Sequence, residues 1–329
     1  MKPVRPERPA DIGPEEIRPE DVDLRVRIGA IELSNPILLA SGTCGYGVEM
    51  AGLLDFNAIG GIVTKTVTPR PREGNAPPRI AETPSGMLNS IGLENVGIDA
   101  FITDKLPRSR ELPTRIIVSV GGETIEDYVA IARRLEAAPG ADAIELNLSC
   151  PNVSGGLDLS QSASGCGGVV AAVRKVTQKP LLAKLTPNVT RIGDIARAAE
   201  EAGADAVSLV NTFIGMAIDI ERRAPRLHTV TGGLSGPAIR PLALAKVYEA
   251  AKAVRIPVVG IGGIADPADV IEFLLAGATA VQVGTANYVE PGGAGRLAPA
   301  LAEYLARHGF RSPADLRGAL QLPSVGVVQ

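Results

Sequence analysis

The chain has 329 residues, of which 45% are hydrophobic and 3% aromatic, with a formal net charge of −3. That length allows one large α/β domain or two ordinary ones, with a core built from Ala, Val, Ile and Leu. The near-balanced charge argues against a nucleic-acid or membrane surface, and no apolar run approaches the roughly 18 residues of a membrane span. Three cysteines are too few for a disulfide framework and suit reduced thiols in a cytoplasmic protein.

The N-terminus, "MKPVRPERPADIGPEEIRPEDVD", places charges and prolines where a signal peptide would be apolar. Residues 1–20 read as a flexible extension, leaving 21–329 as a single domain. Strand-length apolar runs then follow at 36–40, 62–66, 115–120, 143–147, 181–185, 206–210, 257–261 and 280–283. Nearly all are continuously apolar, as parallel strands buried on both faces should be. Between them one unit recurs: "PGADAIELNLS" (139–149), "AGADAVSLVNT" (202–212) and "AGATAVQVGTA" (276–286). Each follows a stretch with helical spacing, and Gly140, Gly203 and Gly277 suit a left-handed helix end. Eight such strands with helices between them predict a (β/α)8 TIM barrel, with a doubly wound sheet as the rival. Residues 67–95 contain many Pro and Gly and no good helix, so they read as a long insertion after the second strand.

In such a barrel, chemistry sits at the C-terminal strand ends. The polar residues there are Ser41, Lys65, Thr66, Ser119, Asn147, Cys150, Lys184, Asn211 and Thr212, followed by "GIGG" (260–263) and "VGTA" (283–286). Lys65 and Lys184 end apolar strands, and a buried ammonium needs an anion. That anion is either a structural carboxylate or a bound ligand. Glycine-rich loops after the last two strands suit a phosphate, although Gly also serves simply to turn a chain. Asn89, Asn147, Asn152 and Asn211 offer uncharged donors and acceptors for a planar heterocycle; singly, each suits turn chemistry equally well. Cys150 follows a strand end in a Ser-Cys-Pro-Asn turn, while Cys44 and Cys166 lie in small-residue loops. No Cys or His cluster has metal-ligand spacing, so no metal site is expected.

Four stretches, "ETPSGMLNSIGLEN" (82–95), "ELNLSCPNV" (145–153), "KLTPNVT" (184–190) and "TGGLSGPAIRPLAL" (231–244), resemble the class 1 dihydroorotate dehydrogenases. The resemblance covers about residues 24–310, and the first and last stretches look most like subclass 1B, the NAD-linked catalytic subunit. It implies an FMN flavoprotein of pyrimidine biosynthesis that oxidises (S)-dihydroorotate to orotate. Cys150 matches the base that removes the C5 proton while flavin N5 takes the C6 hydride. Lys65 matches the lysine near both flavin and substrate, and Lys184 a flavin-binding lysine. Ser41, Thr66, Val210, Gly236, Gly262, Gly263, Gly284 and Thr285 match flavin contacts. Ser119 stands where an Asn often makes one. Asn89, Ser90, Ile91, Gly92 and Leu93 match the substrate-binding stretch, and Asn147, Asn152, Asn211 and Thr212 match residues around orotate.

A free cysteine has a pKa of about 8.5, so flavin reduction is expected to speed up with pH until Cys150 is ionised. The stretch "SGGLDLSQSASGC" (154–166) matches the position of a flap and is unlike that of subclass 1B. The resemblance also implies a homodimeric core and a partner subunit carrying FAD and a 2Fe-2S centre, since three cysteines cannot supply four thiolates. "ELNLSCP" and "KLTPNVT" are similar too to the FMN domain of dihydropyrimidine dehydrogenase, where His is expected at the position of Asn152. A tRNA-dihydrouridine synthase-like flavoprotein should carry a basic surface, which the charge balance opposes. A barrel lyase would use Lys184 as a Schiff-base nucleophile.

Overall fold

Eight short parallel strands pair in chain order and close on themselves in the computed structural model, which describes residues 17–148 and 161–323. Strands one to eight are Ile37–Leu39, Gly61–Val63, Arg115–Val120, Ala143–Asn147, Leu181–Lys184, Ala206–Leu209, Val258–Ile261 and Ala280–Val283. Strand eight returns to strand one with Val281 beside Ile37. A doubly wound sheet would leave two edges, so closure decides for the (β/α)8 barrel.

Successive side chains alternate between the helices and the barrel interior. Leu38, Val63, Ile117, Ala143, Leu182, Ala206, Val259 and Ala280, one from each strand, form an apolar inner layer. A hairpin of Val26–Ile28 and Ile31–Leu33 closes that end, packing Val26, Ile28, Ile31 and Leu33 against the layer. Outward residues such as Ile62, Val118 and Leu146 meet helical residues including Leu135 and Val169. Helix Ile125–Ala137 starts with a reciprocal cap between Thr124 and Asp127. Gly140, Gly203 and Gly277 follow their helices at φ +103°, +96° and +110°, a conformation costly for any residue with a Cβ. Pro19 and Glu20, expected within the extension, belong to a 3-10 turn, Pro19–Asp21, beside helix Leu297–Arg307, and the Asp23 N–H donates to Arg311 O at 2.9 Å.

Two excursions rise from the C-terminal end of the barrel. After strand two the chain makes the hairpin Ile80–Thr83 and Gly86–Asn89, and after strand six it supplies Phe213–Met216 and Thr231–Ser235. They combine into one antiparallel sheet, with Gly233 opposite Asn89 and Phe213 opposite Leu234. Leu88, Ala81 and Leu227 give this sheet a small core. A Cβ on Gly233 would run into the Thr212 side chain, so glycine lets the sheet lie close over strand six. The insertion read at 67–95 is therefore half of a two-part cover. Among the described residues, no helix is long and apolar enough to cross a membrane.

The fully buried Leu33 seals the barrel end opposite this cover. Leu33→Ala should lower stability by about 2–5 kcal/mol in denaturant unfolding while leaving ligand affinity at the other end unchanged.

Candidate active site

A cavity of about 790 Å³ lies between the C-terminal barrel mouth and the four-stranded sheet. The barrel contributes Ser41, Lys65, Thr66, Asn147, Lys184, Val210, Asn211 and Thr212 to its wall. The first excursion contributes Asn89, Ser90, Ile91, Gly92 and Leu93. Gly236, Gly262, Gly263, Gly284 and Thr285 complete the predicted set that lines it. Cys150 and Asn152 lie outside the described residues, as do positions 154–160 of the expected flap. Ser119 departs from its expected place: it is fully buried and absent from the wall. Its hydroxyl lies 2.9 Å from Thr66 Oγ1, so it supports a lining residue from behind.

The polar side chains hold one another across the mouth. Ser41 Oγ lies 3.3 Å from Thr66 Oγ1, and Asn147 Nδ2 donates to the same Thr66 oxygen at 3.1 Å. Asn211 Nδ2 donates to Asn147 Oδ1 at 3.1 Å, and the Thr212 N–H donates to Asn211 Oδ1 at 2.8 Å. Tyr128 Oη donates to the Asn147 carbonyl at 2.8 Å, anchoring the end of strand four. This chain fixes the orientation of two amides before any ligand arrives, which lowers the entropic cost of binding. Asn89 Nδ2 donates to Gly233 O at 3.2 Å, tying its side chain to the second excursion.

Asn188 and Asn75 are among several lining residues left unassigned in the sequence. Asn188, inside the quoted "KLTPNVT", donates through Nδ2 to Thr186 Oγ1 and Thr212 O, both at 3.1 Å, and accepts from the Ile214 N–H. Asn75 donates to Ser90 Oγ at 2.8 Å and binds the start of the insertion to its end. Arg79 reinforces that loop through Glu94 and the Glu73 carbonyl. The signal for Asn188 was available, because it sits within a recognised stretch. Asn75 had none, since its partner is distant in sequence.

The two lysines differ. Lys184 is nearly fully buried, and its ammonium lies 3.8 Å from Glu145 Oε1. Glu145 is itself fully buried on strand four, and its Oε2 accepts from Ser208 Oγ at 2.8 Å and Gln282 Nε2 at 2.7 Å. Lys184 thus has the structural carboxylate that was one of its two sequence readings while also lining the cavity. Lys65 is half-buried with its N–H on Gly45 O, and no described carboxylate forms an ion pair with it.

At the ends of strands seven and eight, the amides of Gly262, Gly263, Gly284 and Thr285 donate no hydrogen bond to any other described residue. Gly262 holds φ +125°, and a Cβ there would lie 2.8 Å from Ala243 Cβ. Arg240, the nearest side chain to Gly263, is engaged by Asp269 and Glu272. An anion here would be bound by backbone N–H groups and not by a cation.

A sequence profile described as dihydroorotate dehydrogenase matches residues 23–305. The chain belongs to the dihydroorotate dehydrogenase family. Proteins named dihydroorotate dehydrogenase B (NAD(+)), catalytic subunit, from Phocaeicola vulgatus and Bacteroides thetaiotaomicron are each 52% identical over 301 residues, covering 91% of this chain and 99% of theirs. The Geobacter sulfurreducens protein of the same name is 51% identical over the same span.

Both described thiols are buried, which disfavours their ionisation. Cys44 is fully buried, donates to Val63 O at 3.4 Å, and burial pushes its pKa up to about 12. Cys166 is not in a loop as read from sequence but in helix Ala163–Arg174, and burial likewise raises it to about 12. In folded protein at mildly alkaline pH, iodoacetamide should spare Cys44 and Cys166, then label both after denaturation. Peptide mass spectrometry reads this directly, and labelling of either in the folded chain would contradict their burial.

Proposed function

We propose that this chain is the catalytic subunit of an NAD-linked dihydroorotate dehydrogenase, oxidising (S)-dihydroorotate to orotate in pyrimidine biosynthesis in the cytoplasm. The observation that carries the reading is one cavity containing two lysines, an oriented chain of amides and a set of backbone N–H groups without a hydrogen-bond acceptor among the described residues. Its chemistry suits FMN. The amides of Gly262, Gly263, Gly284 and Thr285 would hold the phosphate, and the closeness of Ala243 leaves no room for a side chain at Gly262. Ser41, Lys65, Thr66, Asn147, Lys184, Val210 and Gly236 would surround the ring, with Ser119 acting through Thr66. When bound, the flavin supplies the acceptor for a hydride.

The rest of the reaction belongs to the protein. Orotate presents alternating N–H and C=O groups, which Asn89, Asn147, Asn152, Asn211 and Thr212 match with donors and acceptors. Ser90 through Leu93 would close over it from the insertion. Lys65 lacks a carboxylate partner among the described residues, so its ammonium can meet the substrate's anionic group. Cys150 would take the C5 proton. This assignment agrees with Cys44 and Cys166 being buried thiols with pKa values raised to about 12. Electrons would leave through a partner subunit bearing FAD and a 2Fe-2S centre, on a homodimeric core of this chain.

The purified chain should be yellow and should bleach when dihydroorotate is added without oxygen. Bleaching by dihydrouracil but not dihydroorotate would overturn the substrate assignment. Cys150→Ala should keep its flavin yet reduce it at least about a hundredfold more slowly, the usual scale for losing a general base. Stopped-flow absorbance checks this, and an unchanged rate would remove Cys150 from the mechanism.

A further inference from the structure

Lys184 is a buried cation with an incomplete shell. Its side chain is 6% exposed, and no hydrogen bond from its ammonium is formed with any other described residue. At 3.8 Å, Glu145 Oε1 is close enough to neutralise it but too far to take a hydrogen bond. The carboxylate is held where it is from the other side of the barrel. Ser208 on strand six and Gln282 on strand eight both donate to Oε2, which leaves Oε1 without a hydrogen bond. Below this polar layer are Ala143, Leu182, Ala206 and Ala280, which offer the ammonium nothing. Its remaining open side is the cavity wall.

We infer that Glu145 is a positioning residue for the cavity ligand, a fixed counter-charge that holds Lys184 at the wall and limits the positive charge the ligand meets. The inference rests on the reading that Lys184 contacts a flavin. A lone ammonium in a low-dielectric site attracts a ring that has gained electrons more strongly than the same ring before reduction. Glu145, locked beside that ammonium, offsets much of the difference. The pair therefore keeps the flavin's reduction potential below the value Lys184 alone would impose, which favours passing electrons onward. Ser208 and Gln282 serve this arrangement by preventing the carboxylate from closing fully on the lysine.

The test compares Glu145→Gln, Lys184→Gln and the double variant as FMN-loaded proteins, reading the flavin midpoint potential by spectroscopic redox titration. Glutamine retains an oxygen that can accept from Ser208 and Gln282, so a purely structural role would leave the potential unmoved. Glu145→Gln should shift it upward by about 30 mV or more, equivalent to about a tenfold stronger preference for the reduced ring in a two-electron couple. Lys184→Gln should shift it downward, and the double variant should return near the starting value. A shift with Lys184→Gln but none with Glu145→Gln would overturn the role of Glu145 while leaving the Lys184 contact intact. No shift with Lys184→Gln would instead remove the contact itself, and the inference with it. Should Glu145→Gln fail to fold, the double variant decides: recovered folding supports the pairing, because both buried charges are gone, and an equally unfolded double variant overturns it.

Discussion

Pairing of strand eight with strand one, Val281 beside Ile37, leaves the sheet without an edge, and that closure determines where each barrel side chain can point. Alternation then sends one set toward the helices and the other into a closed interior. The interior is graded along its axis. An apolar layer backed by the Val26–Leu33 hairpin fills one end, and a polar layer of Glu145, Lys184, Ser208 and Gln282 follows. The cavity opens only beyond both. Site residues are thus carried on rigid strands whose lower halves are packed, and a displacement at the mouth would have to disturb the core beneath it.

The cover is built on the same economy. Each excursion contributes one antiparallel pair of strands, and the two pairs join into a single sheet through Asn89 and Gly233. Because the substrate-binding stretch proposed at 89–93 begins at Asn89, the last strand residue of the hairpin in this composite sheet, its geometry depends on chain more than a hundred residues away. The glycines of "TGGLSG" are required for that contact, since side chains at 232 and 233 would collide with Leu227 and Thr212.

Much of the fold was legible because local signals agreed with the global answer. Continuous apolar runs mark the strands to within a residue, except that strand two ends at Val63 and not at 66, and the glycines after the helices adopt the expected left-handed geometry. Rim residues were legible for the same reason: a strand's end can be seen in sequence, and the barrel dictates what strand ends do. Two positions differ from the sequence expectation: Ser119, one residue before the end of its strand, lies behind Thr66, and Cys166 sits in a helix capped by Ser162 and not in a small-residue loop. Relative depth at a barrel rim depends on neighbouring strands, and a stretch of Ser, Ala and Gly carries too little helical pattern to be read alone.

What the sequence by itself determined is the barrel, its strand order, the rim positions and, through four long motifs, the family. Those rest on periodicity and on residue types whose chemistry is local. Only the tertiary structure decided which anion faces Lys184, that Asn147 and Asn211 orient each other, that Asn188 and Asn75 belong to the cavity, and that two distant excursions form one cover. Each of these is a contact between side chains far apart in the chain. Glu145 lies inside "ELNLSCPN" and reads there as one polar residue in an apolar strand; its meaning depends on Ser208 and Gln282, which closure brings to it across the barrel.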